Sequence, residues 1–183
     1  MQGRSGTKLA GRRNALRIVG LAALSLALPF SPAAWAAAPR SISLYHTHTG
    51  ERLEAVYFDE GEYVPDAVAA LSRLLRDFRT GEVCEFDPAL FDTLHALNLA
   101  CGAGTYQVVS AYRSPQTNAM LRRQSRRVAT NSLHLSGRAI DVRLAGFDMR
   151  RLRDAALALR SGGVGYYARS NFVHLDTGPV RSW

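Results

Sequence analysis

Ser132-Leu133-His134-Leu135-Ser136-Gly137-Arg138-Ala139-Ile140-Asp141 places a histidine and a carboxylate at fixed spacing across a glycine turn. Gly137 breaks any helix, and the run Ala139 to Leu144 alternates with period two. A strand is therefore predicted, with Asp141 on the face opposite Ile140, Val142 and Leu144. A second short strand is predicted at Asn171-Phe172-Val173-His174-Leu175-Asp176, bounded by Ser170 and by Thr177-Gly178-Pro179. Phe172, His174 and Asp176 share one of its faces. If the two strands lie in one sheet with their polar faces together, His134, Asp141 and His174 can converge. Two imidazoles and one carboxylate form a common ligand set for catalytic zinc, which keeps its fourth position open.

Residues 1–36 read as a cleaved export signal. Arg4, Lys8, Arg12, Arg13 and Arg17 make a basic leader, Ile18 to Leu28 an apolar core, and Ala34-Trp35-Ala36 an A-x-A cleavage site. Arg12-Arg13 followed by Leu16 and Arg17 is similar to a twin-arginine signal, although Ala15 stands where that pattern prefers an aromatic residue. The apolar core is short for a membrane span, which needs about 20 residues, so no stable span is expected once the signal is removed. The whole chain carries 23 Lys+Arg against 15 Asp+Glu. The leader holds five of the basic residues and no acidic one, so residues 37–183 carry 18 against 15, a net charge of +3. A nucleic-acid partner suggested by the high pI loses its support. Residues 37–183 suffice for one domain, and a monomer is expected. Cys84 and Cys101 are the only cysteines. An oxidising compartment permits a bridge worth ~3 kcal/mol, and two buried thiols are the alternative.

Residues 41–64 read as a β-hairpin, with His46 and His48 at i, i+2 in its first arm. Such a pair can bind metal, but without a neighbouring carboxylate or cysteine a solvated strand face is the plainer reading. Asp66 to Phe78 has helical spacing, and Asp87-Pro88 opens a second helix that holds His95 in a structural place. Thr105 to Ser110 is a strand by its β-branched and aromatic content, and it delivers Arg113 just past its end. Gln116 to Arg127 is predicted as a helix with a basic face at Arg122, Arg123, Arg126 and Arg127, and Phe147 to Arg160 as the last helix. The glycine-rich run Ser161 to Tyr167 reads as a turn that lets backbone pass close to the site. The order of elements predicts a mixed α+β domain, an antiparallel sheet with helices against it.

The segments "SAYRSPQTN", "NSLHLSGRAIDV" and "FVHLDTGPVRSW", in that order, resemble the exported zinc peptidases of the D-alanyl-D-alanine carboxypeptidase type, closest to their murein endopeptidase K branch. The likeness includes the opening "SLYHTHTGERL", and its S-x-H-x-x-G-x-A-x-D element is complete at Ser132, His134, Gly137, Ala139 and Asp141. The resemblance implies a Hedgehog-like α+β fold, small antiparallel sheet included, with one Zn2+ per chain held by His134, Asp141 and His174. It implies that Arg113 binds a substrate carboxylate or carbonyl, that Ser132 orients the site, and that peptidoglycan stem peptides are the substrate. It also implies action in the periplasm or cell envelope.

One departure concerns the general base. The carboxypeptidase branch has a glutamate three residues before its last histidine, where this chain has Asn171; other relatives have a histidine two before, where this chain has Phe172. Asp176 is the remaining candidate for that role. Two other functions stay open at this point: a carboxypeptidase trimming terminal D-alanine, and a non-catalytic wall-binding module. Trp183 either closes the site as an apolar lid or simply packs.

Overall fold

The alternation of small and branched apolar residues with polar ones builds one sheet, and helices cover its apolar face. The structure, a computed structural model, describes residues 38–102, 104–125 and 128–183. The expected export signal therefore lies outside the described residues, as do Arg126 and Arg127 of the basic face. The strands are β1 (Arg40–His46), β2 (Arg52–Asp59), β3 (Glu62–Tyr63), β4 (Thr105–Ser110), β5 (Ala139–Leu144), β6 (Gly163–Tyr167), β7 (Phe172–Asp176) and β8 (Arg181–Ser182). The helices are α1 (Pro65–Leu74), α2 (Pro88–Cys101), α3 (Pro115–Gln124) and α4 (Met149–Leu159), with a 3-10 turn at Leu133–Ser136. Among the described residues no helix is long and apolar enough to cross a membrane.

The strand order is β3-β2-β1-β4-β5-β7-β6-β8. β1 and β4 run parallel, as do β6 and β8, and the other neighbours are antiparallel. The fold is α+β as expected, but the sheet is mixed and not purely antiparallel. The reason is the long connection through β2, β3, α1 and α2, which returns the chain to β4 in the direction of β1. Residue alternation carries no record of that direction.

The core joins Ile42 and Leu44 of β1, Tyr106 and Val108 of β4, and Ile140 and Val142 of β5 to Leu71 of α1, Leu90, Phe91 and Leu94 of α2, and Leu152 of α4. Asp87 caps α2 through Ala89 N, and Pro88 occupies its first turn as predicted. α1 stops at Leu74, short of the expected Phe78. Beyond its end, the buried Asp77 side chain accepts from the backbone N–H groups of Arg79 and Ser114, drawing the chain out of helical geometry.

Two further expectations are corrected. The run Gly163–Tyr167 is a strand, not a turn. Its glycines make room: a side chain at Gly163 would meet the Asp176 carboxylate and Arg181, and one at Gly165 would meet the Trp183 indole. His46 and His48 do not share a solvated strand face. β1 ends at His46, which is buried, while His48 lies in the following turn stacked on Phe78 at 4.1 Å. Cys84 and Cys101 are free, half-buried thiols.

Candidate metal centre

Three elements deliver the central side chains. The 3-10 turn carries His134; Ser132 caps it by accepting from His134 N at 3.4 Å, and Gly137 ends it in the left-handed region at φ 65°. A side chain at Gly137 would also run into the Glu85 carbonyl, so both backbone conformation and space require glycine there. β5 carries Asp141 and β7 carries His174, and the two are direct cross-strand partners. The convergence read from the two polar strand faces is thus realised. Among the described residues, His134, Asp141 and His174 form the one group of three or more able to share a metal ion, with ligand atoms within 4.8 Å of one another.

Hydrogen bonds settle which ring nitrogens face inward. His134 Nδ1–H donates to the Ala111 carbonyl at 2.6 Å, which leaves Nε2 as the lone-pair nitrogen, 3.4 Å from Asp141 Oδ1. His174 Nε2–H donates to Asp176 Oδ2 at 2.9 Å, which turns Nδ1 toward Asp141 Oδ1 at 2.8 Å. Two donors about 2.0 Å from a tetrahedral zinc lie ~3.3 Å apart, so the inward nitrogens and Oδ1 suit such an ion. Burial lowers the pKa of His134. Burial alone would raise that of Asp141, but the two imidazoles overcome it and hold the carboxylate far below its usual range. At His174 burial is outweighed by hydrogen bonds to Asp141 and Asp176, and the pKa rises.

Arg113 is fixed by its Nε bond to Ser110 Oγ at 2.9 Å and its Nη2 bond to Asp141 Oδ2 at 2.7 Å. Its backbone N–H donates to the His134 carbonyl, tying the end of β4 to the 3-10 turn. Asp176 is fully enclosed. Oδ1 accepts from Gly163 N, Gly178 N and Arg181 Nη1, and Oδ2 accepts from His174 and from Arg181 Nη2 at 2.6 Å. Burial would raise its pKa, but the bonds from His174 and Arg181 hold it well below the usual range.

These groups lie in a groove of about 580 Å³. Leu121, Ser125, Val128, Ala129 and Asn131 border it on one side, and Tyr167, Ser170, Phe172 and Trp183 on the other. Apart from His134, Asp141, His174 and Asp176, no carboxylate or histidine lines it among the described residues. Asn171 stands in a turn at φ 50°, its carbonyl accepting from Arg143. Arg181 and Tyr167 were not singled out from the sequence. The only signal for Arg181 was its place in the "GPVRSW" ending, which alone does not say that it clamps Asp176.

No solved structure matches the chain. Curated relatives include the peptidoglycan L,D-endopeptidase MepK of Escherichia coli K12, 42% identical over 95% of this chain and 97% of its own. The protein of the same name from Shigella flexneri gives the same figures. In Haemophilus influenzae, a protein named "Probable peptidoglycan L,D-endopeptidase MepK" is 45% identical over 79% of each chain. The family model described as peptidoglycan L,D-endopeptidase MepK matches residues 34–183, and the chain, with its histidine-aspartate-histidine centre, belongs to that family.

Proposed function

We propose that this chain hydrolyses stem-peptide crosslinks of peptidoglycan at a single zinc site formed by His134 Nε2, Asp141 Oδ1 and His174 Nδ1. The observation that carries the reading is convergence: the outer nitrogen of His134 is committed to a backbone carbonyl and that of His174 to Asp176, so both inner nitrogens aim at one carboxylate oxygen. Zinc bound there supplies Lewis acidity, polarising the scissile carbonyl and lowering the pKa of a water toward ~7. The relatives' L,D-endopeptidase names support cleavage inside the crosslink over removal of a terminal D-alanine.

Arg113 is rigid through Nε and Nη2, and its Nη1 has no partner among the described residues. That nitrogen donates to the substrate oxygen on which negative charge develops, a contact a planar guanidinium makes well. Ser132 keeps His134 aimed by capping its turn. Asp176, expected from the sequence to be the general base, is better suited to another part. Five donors and a depressed pKa leave it little capacity to take a proton. It holds His174 in the tautomer that presents Nδ1, with Arg181 holding Asp176 in turn. Because the substrate is extracytoplasmic, the enzyme is exported by the leader in residues 1–36, here assigned to the twin-arginine type, and residues 37–183 are the mature enzyme.

Mass spectrometry of crosslinked muropeptides incubated with zinc-loaded protein, beside a chelator-treated control, tests the reading. Monomers formed only with metal are expected. Loss of a terminal alanine with crosslinks intact would make the protein a carboxypeptidase, and no change from a folded, loaded sample would make it a binding module.

A further inference from the structure

One wall of the groove has a construction that metal binding does not require. Gly165 of β6 pairs with His174 of β7, and Tyr167 pairs with Phe172. Because Gly165 has no side chain, the Trp183 indole lies in the gap above it; a Cβ at Gly165 would stand 2.6 Å from the ring. The indole rests beside His174, ring centroids 5.2 Å apart, with the Arg181 guanidinium 5.1 Å from its centroid; Trp183 is 53% exposed and lines the groove. Its backbone is pinned as well, since Trp183 N donates to Val164 O and Tyr166 N donates to Trp183 O. An indole fixed in this way and left open to solvent is a preformed apolar surface.

The indole is also tied to a hydroxyl. Trp183 Nε1–H donates to Tyr167 Oη at 3.0 Å, and the Tyr167 ring stacks on Phe172 at 4.6 Å. An indole nitrogen can only donate, so the Tyr167 oxygen is the acceptor and its own proton must point elsewhere. No described residue accepts that proton, and Tyr167 lines the groove. The arrangement is an oriented hydrogen-bond donor beside an apolar plate, both next to a metal ligand.

We propose that Tyr167 binds the stem peptide by donating its hydroxyl proton to a carbonyl or carboxylate oxygen near the scissile bond, and that Trp183 positions Tyr167 while its exposed face holds the aliphatic part of the same residue. This assignment rests on the groove being the substrate groove. The pair acts on binding and leaves the metal ligands as they are.

Steady-state kinetics of the full-length protein on purified crosslinked muropeptide dimers, with zinc content measured for each variant, provides the test. Tyr167→Phe raises KM about fivefold to tenfold, the effect of one lost hydrogen bond, with kcat within about twofold and zinc unchanged. Trp183→Phe keeps an aromatic plate and removes the N–H, raising KM by less. If Trp183 acts through Tyr167, the Tyr167→Phe/Trp183→Phe double variant loses little more than Tyr167→Phe alone. Gly165→Ala expels the indole and raises KM with zinc retained. An unchanged KM in Tyr167→Phe, additive losses in the double variant, or loss of zinc from either single aromatic variant would overturn the proposal. A His134→Ala control separates the two readings: if it cleaves as well as wild type, the groove assignment itself fails. If it is inactive while Tyr167→Phe has the wild-type KM, only the Tyr167–Trp183 assignment fails.

Discussion

His46 at the end of β1 and His134 in the 3-10 turn are both buried, 1% and 2% exposed, and both have Nδ1 bonded to backbone. The direction of that bond separates them. His46 Nδ1 accepts from the N–H groups of His48 and Thr49, each at 3.3 Å, so Nε2 must carry the proton. That Nε2 is buried without a hydrogen-bond partner, and the neighbouring rings of His48 and Phe78 offer no carboxylate. His134 Nδ1 donates to a carbonyl, so Nε2 keeps its lone pair and faces Asp141. The backbone group opposite Nδ1 thus decides whether Nε2 of a buried histidine carries the proton or keeps its lone pair.

The largest effect that could break this contrast is a matched pair of substitutions. His134→Ala is expected to lose zinc and fall to background turnover, while His46→Ala keeps a full equivalent; metal analysis of the two purified proteins decides it. Equal metal loss in both would erase the distinction. Next, Gly137→Ala attacks the turn that aims His134, since it combines a positive φ with a backbone clash. A loss of ~3 kcal/mol or more is expected in chemical denaturation, and a change within error would mean that the turn is easily remodelled.

A smaller effect comes from the outer partner of His174. Asp176→Asn is expected to weaken zinc about 10- to 100-fold, seen by competition with a chromophoric chelator, and excess zinc should restore most turnover. Unchanged affinity with turnover that zinc cannot restore would return Asp176 to the general-base role. The smallest effect concerns pH. Burial lowers the His46 pKa, with His48 adding to the shift. Below the unfolded value of about 6.5 the unfolded chain takes up a proton that the folded chain refuses, so stability falls as pH drops through that region. His46→Asn keeps a side-chain acceptor and cannot titrate. It should lose less stability than wild type as the pH drops from 7 to 5.5, measured by urea unfolding; parallel pH profiles would show that His46 protonates equally in both states.

Much of the architecture is legible along the chain because the signals are local. Thr105–Ser110 and Ala139–Leu144 are strands with the predicted bounds, and α2 begins at its Asp87-Pro88 cap. The approach of His134, Asp141 and His174 was also readable, since side-chain alternation puts Asp141 and His174 on defined strand faces and Gly137 sets the turn before them. The glycines of β6 signal a turn by local rules, since glycine marks turns in most sequences. In this protein two of its glycines clear space for Asp176, Arg181 and Trp183.

Local residue order therefore carries the elements, the residue types of the candidate metal centre and the strand faces they occupy, because period, caps and turn residues act within a few positions of themselves. The parallel β1–β4 pairing, the burial of His46 and the enclosure of Asp176 emerge only once the sheet is assembled. Asp176 is held by Gly163, 13 residues earlier, as well as by nearby Gly178 and Arg181. A carboxylate's capacity to take a proton depends on how many such donors folding brings around it, and no spacing in the sequence records that number.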